Sequence, residues 1–252
     1  EMCIRDRTYN LDLMDSFLSI YPDRAETLLF GPEDLPYFDS PAYVRPRSQK
    51  YVLVKGQPRQ YESMVLDKKK AVMIADRQDV PNAMRTQAGL GSVYRTDLYT
   101  KLVLLAVMKI VTLDPMGMGV EMEAEKPAWC DALNGLPGLF GSSLSETFEL
   151  DRLLTFLLDH LPADKIGSLA LPMELFDLIE TVVDSLKIYQ TSTSADRDFR
   201  YWDAVSSARE AYRDRIRSGF QGEGVPVPFN AIADHLSLFQ TKVRDGIARA
   251  VD

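Results

Sequence analysis

The sequence is poor in the residues that crosslink small proteins or bind metals. Its 252 residues include two cysteines, Cys3 and Cys130, and two histidines, His160 and His235. Two cysteines cannot build a disulfide framework, and neither histidine has the spacing of a metal-ligand motif. We therefore expect a fold held by its apolar core, with no metal site and no resident cofactor.

Basic residues are also in deficit. The chain has 29 Lys and Arg against 37 Asp and Glu, a net charge of −8. Binding to a phosphate backbone needs clustered Lys and Arg, so the composition argues against a nucleic-acid partner. The one basic run, Lys68–Lys70, is predicted to be a solvated turn between two strands.

Long hydrophobic runs are missing as well. The most apolar segment, residues 97–113, contains Asp97, Lys101 and Lys109, whereas a membrane-spanning helix needs about 20 predominantly apolar residues. We therefore predict a buried helix there and no membrane partner. The chain has no repeat of fixed period and neither a Rossmann nor a Walker pattern, which disfavours a solenoid and a phosphate-cradling glycine loop.

The first seven residues resemble a translated sequencing adapter. The chain opens on Glu1 rather than Met, and residues 1–7 are predicted not to belong to the fold. They hold two acids and two bases, so the net charge is still −8 without them, and Cys130 becomes the only cysteine of the protein proper. The chain is accordingly predicted to be an internal part of a larger protein.

Apolar periodicity predicts a mainly α fold. Residues 8–20 are predicted to form one helix, 21–95 a loop and β-meander insertion, and 96–252 a series of long helices that close into part of a toroid. The strands of the meander are predicted within residues 51–56, 61–66 and 71–75, where aromatic and β-branched residues are enriched. The long helices are predicted over residues 97–113, 144–161, 172–188, 197–218 and 230–252. Ser143 and Glu146 have the spacing of a capping box.

Residues 114–143 interrupt the helical pattern. This segment is rich in glycine, proline and acids, and a loop of such length inside a compact domain is usually functional or disordered. Its apolar and aromatic content argues against disorder. We therefore predict a catalytic loop carried by a rigid helical scaffold. Three of its charged residues are predicted to contact substrate: Glu121, Glu123 and Lys126.

An indole, a carboxyl group and an amide occur close together in this loop. Trp129 can stack on the apolar face of a sugar ring, Asp131 can protonate a glycosidic oxygen, and Asn134 can bind hydroxyls. In the alternative interpretation, Asp131 and Asn134 satisfy the backbone of a turn while Trp129 belongs to the core. Cys130 has no evident histidine partner, which disfavours a thiol nucleophile.

The run Trp129-Cys130-Asp131-Ala132-Leu133-Asn134 resembles the Trp-Asn-Asp-Gly-Met-Asn element of cellobiose-phosphorylase-like inverting glycoside phosphorylases. The resemblance implies an (α/α)6 barrel, of which this chain would form part, with Asp131 as general acid and Trp129 and Asn134 beside the sugar. Cys130 and Ala132 depart from the family's Asn and Gly, and Ala128 stands where an Asp is usual. These departures affect the contacts to donor-sugar hydroxyls, and hence the substrate.

The resemblance implies an enzyme that cleaves a β-glucoside bond in a disaccharide or oligosaccharide. A phosphorylase needs only the acid, because inorganic phosphate is itself the nucleophile, whereas an inverting hydrolase needs a separate base. Glu121 and Glu123 keep hydrolysis open, and a non-catalytic carbohydrate-binding or scaffold protein is the alternative outside enzymes. The family's phosphate ligands would lie beyond Asp252, and its donor-sugar Arg and Asp elements have no convincing copy here. A phosphorylase would favour a cytoplasmic location, and the exposed helix faces of an incomplete toroid would favour self-association.

Overall fold

The computed structural model describes residues 4–122, 141–162 and 167–251, with side chains from residue 10 onward. More than half of the described residues lie in helices, which confirms the predicted mainly α class. Nine α-helices and ten short strands lie within the described residues. The helices are α1 (Ile4–Ile20), α2 (Ala25–Leu29), α3 (Arg47–Lys50), α4 (Lys68–Ala75), α5 (Leu98–Ile110), α6 (Leu144–Asp159), α7 (Met173–Thr191), α8 (Arg197–Arg215) and α9 (Phe229–Val251).

The strands form five separate antiparallel pairs. The strands are β1 (Leu35–Pro36), β2 (Ala42–Val44), β3 (Tyr51–Val54), β4 (Gln57–Gln60), β5 (Met64–Leu66), β6 (Arg95–Thr96), β7 (Val120–Glu121), β8 (Ser142–Ser143), β9 (Ser168–Pro172) and β10 (Gly224–Pro228). Strand β1 pairs with β6, β2 with β5, β3 with β4, β7 with β8, and β9 with β10.

The long helices pack in pairs around one apolar core. Helix α6 packs against α5 and α9, and α7 packs against α8. The predicted last helix, α9, buries Ile232, Leu236, Phe239 and Val243, which recur every three or four positions and so form one apolar stripe. Helix α5 is buried over most of its length, as the sequence predicts. Within the described residues, no helix has both the length and the apolar composition of a membrane span.

Two of the long helices start from a shared ribbon. Strand β9 leads directly into α7 and β10 into α9, and the two strands pair from Gly224 opposite Pro172 to Pro228 opposite Ser168. Sequence periodicity does not predict this ribbon. The prolines of β10 fit it because a two-stranded ribbon has free edges, where a missing N–H breaks no ladder.

The third predicted strand of the meander is wrong. Residues 71–75 lie in α4, whose N-terminus is capped by Asp67: its Oδ1 accepts hydrogen bonds from the backbone N–H groups of Lys69 at 3.0 Å and Lys70 at 3.1 Å. An Asp at this position satisfies donors that a helix start leaves free, and the cap outweighs the strand preference of the β-branched residues. The predicted solvated turn at Lys68–Lys70 is therefore wrong too, since these residues form the first turn of α4.

The predicted capping box at the start of α6 is also wrong. The Ser143 hydroxyl makes no cap hydrogen bond and instead lies 3.0 Å from the Ser145 hydroxyl. Glu146 forms an ion pair with Lys109 of α5. The tertiary ion pair between neighbouring helices therefore replaces the local cap.

Candidate functional site

The predicted catalytic loop leaves and rejoins the scaffold at one place. Val120 pairs with Ser143 and Glu121 with Ser142, and the Met122 N–H donates to the Gly141 carbonyl at 2.9 Å. We call this two-stranded base, residues 120–122 and 141–143, the loop stem. Five predicted site residues lie outside the described part of the chain: Glu123, Lys126, Trp129, Asp131 and Asn134.

A tight turn before the stem is built around Asp114. Its Oδ1 accepts from the Met118 N–H at 3.1 Å, and its Oδ2 accepts from the Gly119 N–H at 2.9 Å and from the Ser142 hydroxyl at 2.6 Å. One carboxylate thus satisfies two turn donors and joins both sides of the stem. Because hydrogen bonds to an ionised group are stronger than neutral ones, Asp114 fixes where the loop begins and ends.

The stem is attached to α8 through Glu121. The Trp202 indole N–H donates to Glu121 Oε1 at 2.7 Å, and the Arg209 guanidinium lies 3.4 Å from Oε2. Arg209 is buried and also donates to the Val111 carbonyl at 2.9 Å. Glu121 therefore joins the loop to the scaffold, and its predicted role in binding substrate stays a prediction.

Arg47 connects the N-terminal segment to the same part of α8. Its guanidinium lies 5.1 Å from the Trp202 ring centroid, donates to Asp203 Oδ1 at 2.7 Å and to Glu210 Oε1 at 3.1 Å. A cation over an indole adds attraction to the two ion pairs. The part of α8 that holds the stem thus combines an indole with two arginines that are already paired with carboxylates.

The backbone of helix α9 comes very close to the turn built around Asp114. A Cβ added to Gly246 would lie 1.8 Å from the Gly117 carbonyl oxygen, so only glycine permits this approach. Lys242, one turn earlier on α9, is 4% exposed. Its Nζ lies 4.1 Å from the Tyr189 ring centroid and 5.0 Å from that of Tyr201. Lys242 therefore places a cation beside two tyrosine rings and close to Gly117 of the turn.

Burial governs the charge of this lysine. It lowers the pKa of Lys242 to about 8, with Asp198 and Asp245 favouring the charged form and Arg249 and Arg197 opposing it. For Asp198, burial opposes ionisation, but hydrogen bonds from the Tyr189 hydroxyl and from Arg249 outweigh it and lower the pKa of that carboxyl group. The cluster thus favours the ionised form of Asp198 and disfavours the charged form of Lys242.

Replacing Lys242 with methionine is expected to stabilise the protein at pH 7 by up to about 3 kcal/mol. Lowering the pKa from 10.5 to about 8 corresponds to roughly 3 kcal/mol against the charged amine, and methionine removes that charge while keeping an unbranched apolar side chain between the tyrosine rings. The folded-state pKa is below the unfolded one, so the unfolded chain binds more protons between about pH 8 and 10.5. The free energy of unfolding of the unsubstituted protein therefore rises with pH through that window. The difference in stability between it and Lys242→Met becomes smaller.

Urea unfolding of both proteins at pH 7, 8, 9 and 9.5 measures this difference. The buried tyrosines are common to both proteins, so their own titration cancels. Lys187→Met, at an exposed lysine of α7, is the matched control and should show no such pH-dependent gap. A Lys242→Met protein less stable than the original at pH 7 would mean that the tyrosine contacts outweigh the cost of burial.

Sequence reasoning missed the partners of the stem. Trp202 and Arg209 lie seven residues apart on α8, so they share a face, and this spacing is the one signal that could have paired them. The two histidines lie apart from the stem's partners: His160 follows α6 with its Nδ1 2.9 Å from the Phe156 carbonyl, and His235 Nε2 lies 3.6 Å from Glu180. No cluster of three or more potential metal ligands is found in residues 4–122, 141–162 and 167–251.

Comparison with known proteins adds no family assignment. No family model matches the chain, and no curated protein matches it significantly in sequence.

Proposed function

We propose that the chain carries the acid loop of an inverting enzyme that cleaves β-glucosides by phosphorolysis, with Asp131 as the general acid. Two lines of support converge on residues 114–143. One is the resemblance of the Trp129–Asn134 run to the acid element of glycoside phosphorylases. The other, which carries the proposal, is the closed stem: Glu121 and Ser142 pair where the loop leaves and rejoins the helices, beside the indole of Trp202.

In the proposed reaction, Asp131 donates its proton to the glycosidic oxygen as the bond to the anomeric carbon breaks. Inorganic phosphate attacks that carbon from the opposite face, so the configuration inverts and the products are a sugar 1-phosphate and the shortened acceptor. Trp129 would stack on the sugar, Asn134 would bind its hydroxyls, and Glu123 and Lys126 would contact the substrate.

Hydrolysis by the same fold is the second candidate. It needs a general base on the other side of the ring, and the loop offers Glu121 and Glu123 for that role. Both oxygens of Glu121 already face partners in the scaffold, Trp202 at 2.7 Å and Arg209 at 3.4 Å. Of these two, Glu123 is then the better candidate base, whereas a phosphorylase needs no base at all, and we therefore place phosphorolysis first.

The scaffold of the proposal is an (α/α)6 toroid to which these helices contribute. The packing of α6 with α9 and of α7 with α8 supports it, because such a toroid is built from packed helix pairs. The exposed apolar side chains of α1, Leu13, Phe17 and Ile20, support contact with further helices or self-association.

The dependence of cleavage on phosphate tests this function. The protein expressed from the complete reading frame that encodes these residues is incubated with cellobiose and related β-glucosides, with and without inorganic phosphate. We expect α-glucose 1-phosphate and glucose in equal amounts, and no cleavage without phosphate. Cleavage to glucose alone at a rate independent of phosphate would replace phosphorolysis by hydrolysis. No cleavage of any β-glucoside would favour a carbohydrate-binding or scaffold protein.

A further inference from the structure

An aromatic side chain is exposed on α8 close to the loop stem. Phe199 is 58% exposed, and its ring centroid lies 5.7 Å from that of Trp202 with the ring planes tilted by 38°. Phe199, Trp202 and Asp203 occupy positions i, i+3 and i+4, so the three share one side of the helix. We call these three residues the α8 face.

The polar edge of the α8 face is fixed in position and still accessible. Asp203 Oδ1 accepts from Arg47 at 2.7 Å, while the Asp203 side chain is 55% exposed. Within the described residues, its Oδ2 accepts no hydrogen bond. Arg47 is itself held by Glu210 at 3.1 Å and by the Ser207 hydroxyl at 2.7 Å. The face thus presents an exposed ring and an exposed carboxylate, and the largely buried Arg47 holds that carboxylate in place.

This arrangement adjoins the loop through one hydrogen bond. Trp202 donates to Glu121 of the stem at 2.7 Å, so the α8 face is continuous with the base of the loop that carries Asp131.

We propose that the α8 face is an oligosaccharide subsite, which binds a sugar unit away from the bond that is cleaved. The substrate class rests on the proposed function, and the placement rests on the geometry of α8. The exposed ring of Phe199 covers the apolar face of the sugar, while Asp203, held in position by Arg47, accepts from its hydroxyls. Binding sites commonly combine an apolar surface with a few placed polar groups that fix orientation. The charged edge also disfavours an apolar helix as the occupant.

Calorimetric titration of the full chain with cellobiose, cellotriose and cellotetraose tests the subsite. Phe199→Ala is expected to weaken binding of the tri- and tetrasaccharide about tenfold, with a smaller effect on cellobiose, because the longer ligands reach the α8 face. Asp203→Asn should also weaken the binding of the tri- and tetrasaccharide. Phe148→Ala is the matched control: Phe148 is 49% exposed on α6 and lies outside the α8 face. Thermal unfolding of each variant checks that the fold is retained.

The outcomes separate the subsite from the proposed function. Unchanged binding in Phe199→Ala, an equal loss in Phe148→Ala, or no binding of any of these sugars by the unsubstituted chain would overturn the subsite. Loss of turnover in Asp131→Asn with unchanged binding in Phe199→Ala would leave the function standing without the subsite. Weaker binding in Phe199→Ala, combined with turnover that does not depend on Asp131, would leave a sugar-binding face without the proposed chemistry.

Discussion

Asparagine in place of Asp39 is expected to lower the free energy of unfolding by about 3–5 kcal/mol, the range typical of breaking a buried ion pair from one side. Asp39 is fully buried, with Lys70 Nζ 2.5 Å from its Oδ1 and Arg77 2.9 Å from its Oδ2. Neither contact has hydrogen-bond geometry, so the attraction is between charges. The substitution would take away the carboxylate that both buried cations, Lys70 and Arg77, contact.

The remaining contacts of these cations explain why they cannot simply move to solvent. Lys70 also donates to the Arg217 carbonyl at the end of α8, and Arg77 donates to the carbonyls of Pro81 at 2.8 Å and Ala83 at 3.1 Å. Asp39 thus holds α4 and the following loop against the helical core. Its loss affects the packing of the whole N-terminal segment.

Chemical denaturation monitored by circular dichroism measures the expected loss. Glu62→Gln is the control, because Glu62 forms an exposed pair with Arg45 at 3.1 Å, and such pairs contribute about 0–1 kcal/mol. Adding Lys70→Met to Asp39→Asn should recover part of the loss, since it removes one of the uncompensated charges. Equal losses for Asp39→Asn and Glu62→Gln would contradict a buried ion cluster.

Local sequence signals predict the helices well and the N-terminal segment poorly. The apolar stripe of α9 is a repeated local pattern, so it can be read without knowing the fold. Residues 71–75 have strand-forming composition, yet they form part of α4. Their helix depends on the cap at Asp67 and on the contact between Lys70 and Asp39, 31 positions apart in sequence. A contact of that range leaves no local trace.

The same limit applies to the candidate site. Glycine, proline and acid content predicts that residues 114–143 form a loop; the structure describes a turn and a two-stranded stem at its ends, and the loop between them stays a prediction. The attachment of the stem to α8 could not be predicted, because Glu121 meets Trp202 at a separation of 81 residues and Arg209 at 88. The ribbon of β9 and β10 pairs residues that are more than 50 positions apart in sequence. Hydrophobic periodicity, which is a local pattern, does not predict such a pairing.

Asparagine in place of Asp131 is expected to reduce the turnover of cellobiose by a factor of about 100 to 10,000, the usual contribution of general acid catalysis. The amide has no acidic proton for the glycosidic oxygen, so the departing sugar must leave as an unprotonated alkoxide. Binding should change little, because asparagine has nearly the same shape. The loss should therefore fall on kcat rather than on KM.

The leaving group distinguishes general acid catalysis from a structural role. 2,4-Dinitrophenyl β-glucoside releases a stable phenolate that needs no protonation, so Asp131→Asn should cleave it at close to the original rate while cellobiose cleavage collapses. Glu125→Gln, at another carboxylate of the same loop, is the matched control and should retain activity on both substrates. If Asp131→Asn lost activity equally on both, Asp131 would serve the loop's structure rather than donate the proton. Unchanged turnover of cellobiose would remove Asp131 from the chemistry.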